Sequence, residues 1–544
     1  MKPADLVFLG GTVLTMDAAR SRATALAVTG DRITAVGHQE VREYIGPGTE
    51  LVDLSGKALL PGFQDAHVHA AAAGVELGAC DLTGTTDLNE YLRRVAAYAT
   101  AHPEREWITG SGWSLESFPG GMPTRAQLDS VVADRPVYLT NRDHHGGWAN
   151  SRALEIAGLT ADTPEPPDGR IERESDGTPT GMLQEGATDL VERFVPPITP
   201  AERLAGLLRA QAVLHALGIT GWQEAIVGPY GDAFDCAAAY LDAAERGLLT
   251  GRVTGAQWWE REQGVEQIPA MIQRRKDFAV GRFRLDTVKI MLDGIAENQT
   301  AAMTAPYKDS KGCCTTNTGL SFIDPAALRS HVTDLDANDF QVHFHALGDR
   351  AVREALDAIE SALHTNGPRG NRHLLAHLQV IHADDIPRFH HLGAIANLQP
   401  LWAAHEPQLD DLTLPFLGGD LPTRQYLFGD LARAGATLAC GSDWPVSDPN
   451  PLAGIHTAVN RATPGSTLPP LLPAQRLDLM TTLAAYTAGS AHANRRDDTG
   501  TLRTGLLADL VILDRDPFTV APNEIADITV AETYVGGARV YGRE

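Results

Sequence analysis

Cysteine is scarce in this 544-residue chain, which has five cysteines scattered along the sequence and no Cys-x-x-Cys pair. We therefore expect neither a disulfide framework nor a zinc site built from thiolates, and a reducing cytoplasm fits best. Long apolar runs are missing as well. The sequence contains no run of 18 apolar residues, so we expect no membrane span. A secretory signal is also unexpected, because no apolar segment follows the basic residue near the start.

Positive charge is in deficit, because 45 Lys and Arg stand against 69 Asp and Glu, a formal net charge of −24. Binding to nucleic acid or to an anionic membrane depends on clustered Lys and Arg, so both partners are disfavoured. The 43% apolar and 21% charged residues are ordinary for a folded globular protein. The length predicts three or four domains, or one large barrel with additions.

The two ends of the sequence resemble each other and differ from the middle. Near the start, short apolar segments flank Gly10-Gly11 and Gly30-Asp31, and each dipeptide predicts a hairpin turn. Near the end, two more apolar segments flank Gly536-Gly537 in the same way. Such short strands cannot bury themselves alone, so we expect residues 1–61 and 500–544 to form one composite β-sandwich.

The middle of the chain alternates short apolar segments with Ala- and Leu-rich helical stretches, the pattern of parallel β/α units. Ten segments are candidate strands: Gly62–His67, Trp107–Gly112, Val137–Thr140, Ile219–Glu224, Arg252–Ala256, Thr287–Met291, Gln341–His345, Leu374–His377, Ala394–Leu398 and Thr437–Asp443. A barrel of this type needs eight, so one or two belong to an insertion. We predict an α/β protein in which residues 62–499 form a distorted (β/α)8 TIM barrel, with an inserted lobe at about 70–200.

The first candidate barrel strand ends in a His-x-His motif, His67 and His69. Residues i and i+2 of a strand point to the same side, so two imidazoles at this spacing can bind one cation from a rigid edge. The motif by itself is equally compatible with a structural or incidental origin. Its place at a strand end, directly after Leu60-Pro61-Gly62, favours metal binding.

Four more polar residues end or interrupt downstream apolar segments, namely Lys289, His345, His377 and Asp443. Taken singly, each is better explained as a satisfied core histidine, a capping aspartate or a snorkelling lysine, although a free ammonium at position 289 would be costly to bury. Together they place nitrogen and oxygen ligands at successive strand ends, where TIM-barrel enzymes carry their active sites. Imidazole and carboxylate suit Zn²⁺, with Fe, Mn or Ni as alternatives.

These motifs resemble those of the metal-dependent amidohydrolase superfamily, and within it amidohydrolase family 3, the YtcJ-like proteins and N-substituted formamide deformylases. The resemblance covers essentially the whole chain and rests on six segments in family order: Pro61–His69, Val288–Gly294, His345–Ala351, His377–Gln379, Gly441–Pro445 and Ala508–Asp514. The family fold is a distorted (β/α)8 barrel plus a β-sandwich built from both termini, in agreement with the pattern described above.

The resemblance implies which residues bind metal. It makes His67 and His69 ligands of one metal, with Asp443 beside it. It makes His345 and His377 ligands of a second metal. Some members of the superfamily work with one metal, so one or two divalent ions remain open.

Lys289 matches the position that in related enzymes is carboxylated by CO₂ and bridges the two metals. A carbamate is an anionic oxygen ligand, so carboxylation would remove the objection to burying a cation there. Carboxylation of Lys289 is therefore what the resemblance implies, and the sequence itself does not show it.

The resemblance further implies a hydrolase that cleaves a non-peptide carbon–nitrogen bond of a small molecule, with an N-acyl or N-formyl amine as the leading substrate class. A metal lowers the pKa of water and polarises a carbonyl, and Asp443 would act as general base and then general acid. The same centre could instead act on a cyclic amide, carbamate or ester. A catalytically silent barrel used for binding is the alternative from another class. Homo-oligomers are common among relatives.

A second catalytic residue comes from the segment Asp143–Ser151, which resembles a family segment whose histidine faces the substrate. Here that residue is His145, which could orient the carbonyl or stabilise an oxyanion. Packing of the loop is the alternative role. His144 stands where this segment usually has glycine, which puts the local loop geometry in question.

Other residues have weaker claims. His343 shares the His-x-His spacing with His345, and we expect it to be structural. We expect Glu185 and Glu224 to be salt-bridged packing residues, with contact to an amine or a metal ligand as the alternative. Six tryptophans near predicted strand ends suit an apolar or aromatic substrate group, with loop packing as the alternative: Trp113, Trp148, Trp222, Trp258, Trp402 and Trp444.

Overall fold

A computed structural model describes residues 2–230 and 234–542, so residues 1, 543 and 544 of the expected terminal unit lie outside the described residues. The chain begins with five strands: β1 (Leu6–Leu14), β2 (Arg22–Thr29), β3 (Arg32–Gly37), β4 (Glu50–Asp53) and β5 (Ala58–Pro61). β1 pairs antiparallel with β2 and parallel with β4 and β5. The hairpin predicted at Gly30-Asp31 is confirmed, since β2 and β3 pair antiparallel across it.

The hairpin predicted at Gly10-Gly11 is wrong. β1 runs straight through both glycines, with a register shift between Leu9 and Val13. Gly10 has a φ of +90°, and a Cβ added to Gly11 would lie 2.2 Å from the carbonyl oxygen of Leu54. The two glycines therefore allow a bulge and a close crossing of another segment, whereas the direction of the chain does not reverse.

The inserted lobe follows the first barrel strand, β6 (Phe63–Val68). Its strands are β7 (Cys80–Asp81), β8 (Ile108–Trp113), β9 (Val137–Asn141), β10 (Gly146–Ala149), β11 (Gly169–Arg173) and β12 (Pro179–Glu185). They form a six-stranded sheet in the order β11-β12-β10-β9-β8-β7 among the described residues. Two of the ten candidate barrel strands, now β8 and β9, thus belong to the lobe.

The barrel resumes after the lobe. Its further strands are β13 (Ile219–Val227), β14 (Arg252–Trp258), β15 (Phe283–Met291), β16 (Gln341–Ala346), β17 (Leu374–His377), β18 (Ile395–Leu398) and β19 (Thr437–Cys440). With β6 they form a parallel sheet of eight described strands, from β19 in descending order to β13 and then β6. The side chain of Asn397 donates a hydrogen bond to the Ala66 carbonyl (2.8 Å) and nearly closes the ring. The predicted (β/α)8 fold is confirmed.

Three last strands return to the amino-terminal sheet: β20 (Leu510–Leu513), β21 (Val530–Val535) and β22 (Ala538–Gly542). β20 pairs with β5, and β21 and β22 form the hairpin predicted around Gly536-Gly537. The rings of Phe8 on β1 and Tyr534 on β21 lie 5.4 Å apart, although two strands separate β1 from β21 in the sheet. The sheet therefore curls over a shared apolar core.

Helices connect the strands and cover the barrel. Over the described residues they are α1 (Ala70–Glu76), α2 (Leu88–Ala101), α3 (Arg125–Asp129), α4 (Ser151–Ala157), α5 (Asp189–Glu192), α6 (Pro200–Ala216), α7 (Ala237–Glu245), α8 (Ile268–Asp277), α9 (Pro325–Ala337), α10 (Asp349–Asn366), α11 (Ile386–Leu392), α12 (Phe428–Arg433), α13 (Pro451–Asn460), α14 (Leu479–Ala484) and α15 (Ser490–Ala493). A capping box between Thr199 and Glu202 begins α6. None of these helices combines the length and the apolar character needed to cross a membrane.

Candidate active site

The carboxyl ends of the barrel strands surround a cavity of about 920 Å³. All six residues proposed as metal ligands line this cavity and are at least nine-tenths buried: His67, His69, Lys289, His345, His377 and Asp443. They come from five strands of the barrel or from the residues just after them. This is the end at which TIM barrels place catalytic groups, because the loops after the strands converge there.

The Asp443 carboxylate is the centre of the cluster. Its Oδ1 lies 3.1 Å from Nε2 of both His67 and His69, and its Oδ2 lies 3.8 Å from Nδ1 of His377. The ring of His377 lies 4.8 Å from that of His67 and 4.6 Å from that of His345, measured between centroids. Four histidines from three separate parts of the sequence are thus brought into one cluster with this carboxylate.

The backbone conformation at this cluster is unusual. Asp443 has a φ of +56° and His377 a φ of +79°, both in the left-handed region that non-glycine residues rarely adopt. The Asp443 amide donates to the His67 carbonyl (2.7 Å), and the His377 amide donates to Oε1 of Gln399 (2.7 Å). These bonds hold two side chains in positions that the backbone alone would not favour, as is common at functional sites.

The chemistry of the donor atoms fits a divalent metal ion. Nδ1 of His69 and Nδ1 of His377 are buried without a hydrogen-bond partner among the described residues. Such groups are costly to leave unsatisfied unless another partner takes them. Burial lowers the pKa of both histidines, so their rings are neutral and carry a lone pair. Burial alone would raise the pKa of Asp443, but its histidine neighbours and Lys289 lower it to about 2.

Lys289 lies within β15, where its register partner on β16 is His343. It is 2% exposed, and burial lowers the pKa of its ammonium to about 7, partly opposed by the charge of Asp443. The side chain is therefore a largely desolvated amine on the wall of the cavity.

Asp293 positions His345 and was not singled out from the sequence. Its Oδ1 lies 3.1 Å from Nδ1 of His345, and its carboxylate also accepts amide hydrogen bonds from Ala302, Leu347 and Gly348. A carboxylate on one ring nitrogen fixes the tautomer, so that the other nitrogen, Nε2, is free to bind a metal. The aspartate is the second residue after β15, and its place in Val288–Gly294 was the available signal.

His343, expected to be structural, lies behind His67. Its Nε2 is 2.8 Å from Nδ1 of His67, and its Nδ1 is hydrogen-bonded to Gln223. It is fully buried and orients His67 in the way that Asp293 orients His345. Asp65 has a similar task, since it accepts hydrogen bonds from the His67 amide and from Ser442, the residue before Asp443.

His145 also lines the cavity, and it is supplied by the lobe at the start of β10. Its Nδ1 lies 2.7 Å from Oε2 of Glu185, and its ring lies 5.7 Å from that of His345. Burial lowers the pKa of His145, but the Glu185 carboxylate outweighs this and raises it to about 9. The ring is therefore an imidazolium at neutral pH. Glu185 is salt-bridged as expected, and its partner is the candidate catalytic histidine.

The backbone conformation of His144 explains why glycine usually stands at this position. Its φ is +63°, a conformation that glycine adopts freely and other residues at a cost. Glu224, in contrast, hydrogen-bonds to Tyr240 and to the amide of Ala71 (3.3 Å) in the barrel wall. Glu224 is thus a packing residue as expected, although hydrogen bonds hold it in place of the expected salt bridge.

The six tryptophans differ in position, and Trp258 is buried against Tyr230, with ring centroids 4.5 Å apart. Trp402 and Trp444 line the cavity, and Trp402 stacks on His377 with ring centroids 5.3 Å apart. Trp113, Trp148 and Trp222 are fully buried core residues, which corrects the idea that they contact the substrate. Their indole N–H groups are satisfied within the protein by Leu139, Thr124 and Tyr240.

A (β/α)8 barrel whose strand ends bring four histidines and an aspartate into one buried cavity defines the class of metal-dependent hydrolases. Residues 50–541 match the amidohydrolase family, and the chain belongs to that family. It is therefore a hydrolase that acts on carbon–nitrogen bonds. The resemblance inferred from the motifs is confirmed.

Known relatives extend over nearly the whole chain. Protein LONG AFTER FAR-RED 3 of Arabidopsis thaliana is 32% identical over 99% of this chain and 92% of its own length. Putative amidohydrolase YtcJ of Bacillus subtilis is 29% identical, covering 98% of this chain and 99% of its own. N-substituted formamide deformylase of Arthrobacter pascens is 29% identical, covering 99% and 98%.

Solved structures share the fold. An uncharacterised metal-dependent hydrolase from Pyrococcus horikoshii superimposes with a TM-score of 0.73 at 24% identity, covering 95% of this chain and 99% of its own. The likeness extends over the barrel and the terminal strands together, and it supports the architecture described above.

Proposed function

We propose that this chain hydrolyses the non-peptide amide bond of an N-acyl or N-formyl amine and releases a carboxylic acid and an amine. The observation that carries the proposal is the position of Asp443, whose Oδ1 lies 3.1 Å from Nε2 of both His67 and His69 in a buried cavity. The relative named N-substituted formamide deformylase supports the formyl group as one acyl part.

The metal would be held by residues already close together. His67, His69 and Asp443 offer donor atoms that all lie within 4.8 Å of one another. His345, His377 and a carboxylated Lys289 would hold a second ion. Zn²⁺ suits this set best, with Fe, Mn and Ni as alternatives. When bound, a divalent ion supplies Lewis acidity that makes water a nucleophile at neutral pH and polarises a carbonyl.

Asp443 moves the proton. Its carboxylate is ionised at neutral pH and faces the cavity, so it accepts a proton from the attacking water as the water oxygen bonds to the carbonyl carbon. The same group then delivers that proton to the nitrogen as the C–N bond breaks. The nitrogen leaves as a neutral amine, which is a far better leaving group than an amide anion.

His145 stabilises the negative charge that develops on the carbonyl oxygen of the substrate. As an imidazolium held by Glu185, it donates a hydrogen bond to the carbonyl oxygen while that oxygen gains negative charge. The ion pair keeps the ring oriented and protonated before substrate arrives, so little reorganisation is needed during the reaction.

Carboxylation of Lys289 is supported by its surroundings. A neutral amine is the form that reacts with CO₂, and a pKa of about 7 keeps a large fraction of Lys289 neutral at neutral pH. The carbamate would convert a buried cation into an anionic oxygen ligand. Protein prepared with ¹³C-bicarbonate should show a carbamate ¹³C resonance that Lys289→Arg lacks, and an identical spectrum for the variant would contradict this assignment.

Two measurements test the proposal. Metal analysis of the purified protein should give about one or two transition metals per chain. A panel with N-benzylformamide, N-benzylacetamide, a lactam, an aryl carbamate and an aryl ester should show the highest kcat/KM on the open-chain amides. Turnover restricted to the lactam, carbamate or ester would replace the acyl-amine assignment with one of those substrate classes, and a metal-free chain inert on the whole panel would refute hydrolysis.

The predicted compartment stays a proposal. The five cysteines are all free thiols, three of them buried, which accords with the reducing cytoplasm. A homo-oligomer also remains an expectation, and size-exclusion chromatography with light scattering would test it.

A further inference from the structure

One side of the cavity is strongly acidic. Glu297, from the segment after β15, and Glu406, from the segment after β18, both line it, and so do Arg142 and Asp143 from the segment after β9. Glu116 lies just behind, with its Oε1 3.9 Å from the Arg142 guanidinium. One guanidinium thus faces four carboxylates, and all four raise its pKa against the opposing effect of burial.

Arg142 forms no hydrogen bond with any of these four carboxylates among the described residues. Its Nη2 donates to Oε1 of Gln408, and the carboxylate nearest to its Nη1 is that of Glu116. Glu297 accepts a hydrogen bond from Thr413 (2.7 Å), while the Glu406 carboxylate has no hydrogen bond or ion pair within 4 Å among the described residues. Burial therefore raises the pKa of Glu406 to about 7, with Glu116 and Glu297 adding to the effect and Arg142 opposing it.

An independent observation on the same wall also points to a ligand. Tyr426 is 4% exposed and lines the cavity, yet its hydroxyl has no hydrogen-bond partner within the described chain. A buried phenol usually finds a partner. Tyr426 lines the same cavity as Glu297 and Glu406, and their charges add to the effect of burial in raising the pKa of its hydroxyl. Its backbone is fixed, since its amide donates to the Gln379 carbonyl, two residues beyond His377.

We propose that Glu297, Glu406 and Tyr426 form a subsite that binds a primary ammonium group of the substrate, separate from the scissile amide. This inference rests on the proposed function and narrows its substrate class to acyl amines that carry a second, cationic nitrogen. An ammonium has three N–H donors and no acceptor, and two carboxylates with one phenol oxygen offer three matching acceptors. The apolar wall formed by Phe234, Trp402 and Trp444 then suits the carbon skeleton between the two nitrogens.

Binding can be measured without turnover. The probes are 2-phenylethylammonium, its neutral analogue 2-phenylethanol and the anionic analogue 3-phenylpropionate, titrated calorimetrically into the full-length protein at low salt. We expect the cation to bind at least about tenfold more tightly than the alcohol, which corresponds to about 1.4 kcal/mol. Equal affinity of cation and alcohol, or tighter binding of the carboxylate to Arg142, would overturn the subsite.

Substitutions test whether these three residues cause the preference for the cation over the alcohol. Glu406→Gln and Glu297→Gln should each weaken the cation by about tenfold and leave the alcohol unchanged, and Tyr426→Phe should weaken the cation by about fivefold. Asp411→Asn is the matched control, because it removes one charge from an exposed residue of the same segment and should change nothing. Unchanged alcohol binding shows that a variant is folded. Cation binding that survives both glutamate substitutions would refute the assignment.

The outcome separates the two proposals. A chain that binds the cation selectively but hydrolyses no amide keeps the subsite and loses the proposed reaction. A chain that hydrolyses neutral formamides and shows no preference for the cation keeps the reaction and loses the subsite.

Discussion

The Asp293 carboxylate lies 3.1 Å from Nδ1 of His345. It also accepts hydrogen bonds from three backbone amides, so one buried carboxylate holds the histidine and two loops. The neighbouring His67 is held by a histidine, His343, whose own ring is fixed by Gln223. Two imidazoles proposed as metal ligands are thus oriented by two different partners. This difference leads to the first prediction.

Asp293→Asn should lower metal affinity by about 10- to 100-fold, because the ring of His345 loses its charged partner. The measurement is competition with a chelator, followed by metal analysis. Asp324→Asn is a suitable control, since Asp324 also accepts backbone amides, from Ala326 and Ala327, but at the exposed start of α9. Wild-type affinity in Asp293→Asn would show that the carboxylate serves the loops alone.

Asp443→Asn should reduce kcat by about 10²- to 10⁴-fold on an amide substrate while metal content stays near that of the unsubstituted protein. Asparagine keeps the shape and one oxygen, but it cannot accept the water proton. Turnover and bound metal must be measured on the same protein preparation. Substantial activity in this variant would remove Asp443 from the role of general base.

The pH dependence of activity should reveal the His145–Glu185 pair. His145 donates as an imidazolium, so kcat/KM should fall as pH rises through about 9, where this ring loses its proton. In Glu185→Gln the fall should move toward the ordinary histidine pKa of about 6.5. Because the folded pKa is raised, the pair stabilises the fold fully below about pH 6.5, and that contribution is lost as pH rises through about 9.

Glu174→Gln provides the control for that profile. Glu174 pairs with Arg125 on the exposed surface of the same lobe, so its loss should leave the alkaline limb in place. An alkaline limb that stays at the same pH in Glu185→Gln would mean that His145 does not set it.

The barrel and the terminal sheet are joined by a buried ion pair. Arg252 on β14 binds Asp509 through two hydrogen bonds of 2.6 and 2.9 Å, and Asp509 also accepts the Gly536 amide. Asp509→Asn should lower the free energy of unfolding by about 3–5 kcal/mol, because it leaves a buried guanidinium without its charge partner. Urea denaturation measures this. Asp242→Asn, which breaks an exposed pair with Arg246, should cost at most about 0.5 kcal/mol.

Gly441 tests how closely the strands approach at the site. A Cβ at this position would lie 2.5 Å from the Cβ of His67, so Gly441→Ala should displace His67 and destabilise the fold by about 1–3 kcal/mol. Activity should fall with it. Gly48→Ala, where a Cβ would meet nothing within 4 Å, should be neutral in both assays. Full activity in Gly441→Ala would show that the barrel wall can yield at this point.

The sequence by itself determined the barrel and the residues proposed as metal ligands. Strands and helices follow local periodicity, and the polar residues that end the strands are adjacent in sequence to the apolar runs that place them. His345 and His377 could be found in this way because the strand that carries each one ends at the same face of the barrel. The hairpin predicted at Gly10-Gly11 failed because a glycine pair allows a bulge as well as a turn, and distant Leu54 decides between them.

The tertiary structure alone decided which partner each of these residues has. Nothing local pairs Glu185 with His145 or His343 with His67, since those contacts depend on how the lobe docks and how the strands stagger. The meeting of Glu297, Glu406 and Tyr426 is of the same kind, because three loops of irregular path must converge. The local sequence pattern determines which strand or loop carries a side chain, whereas long-range packing determines which other residues that side chain contacts.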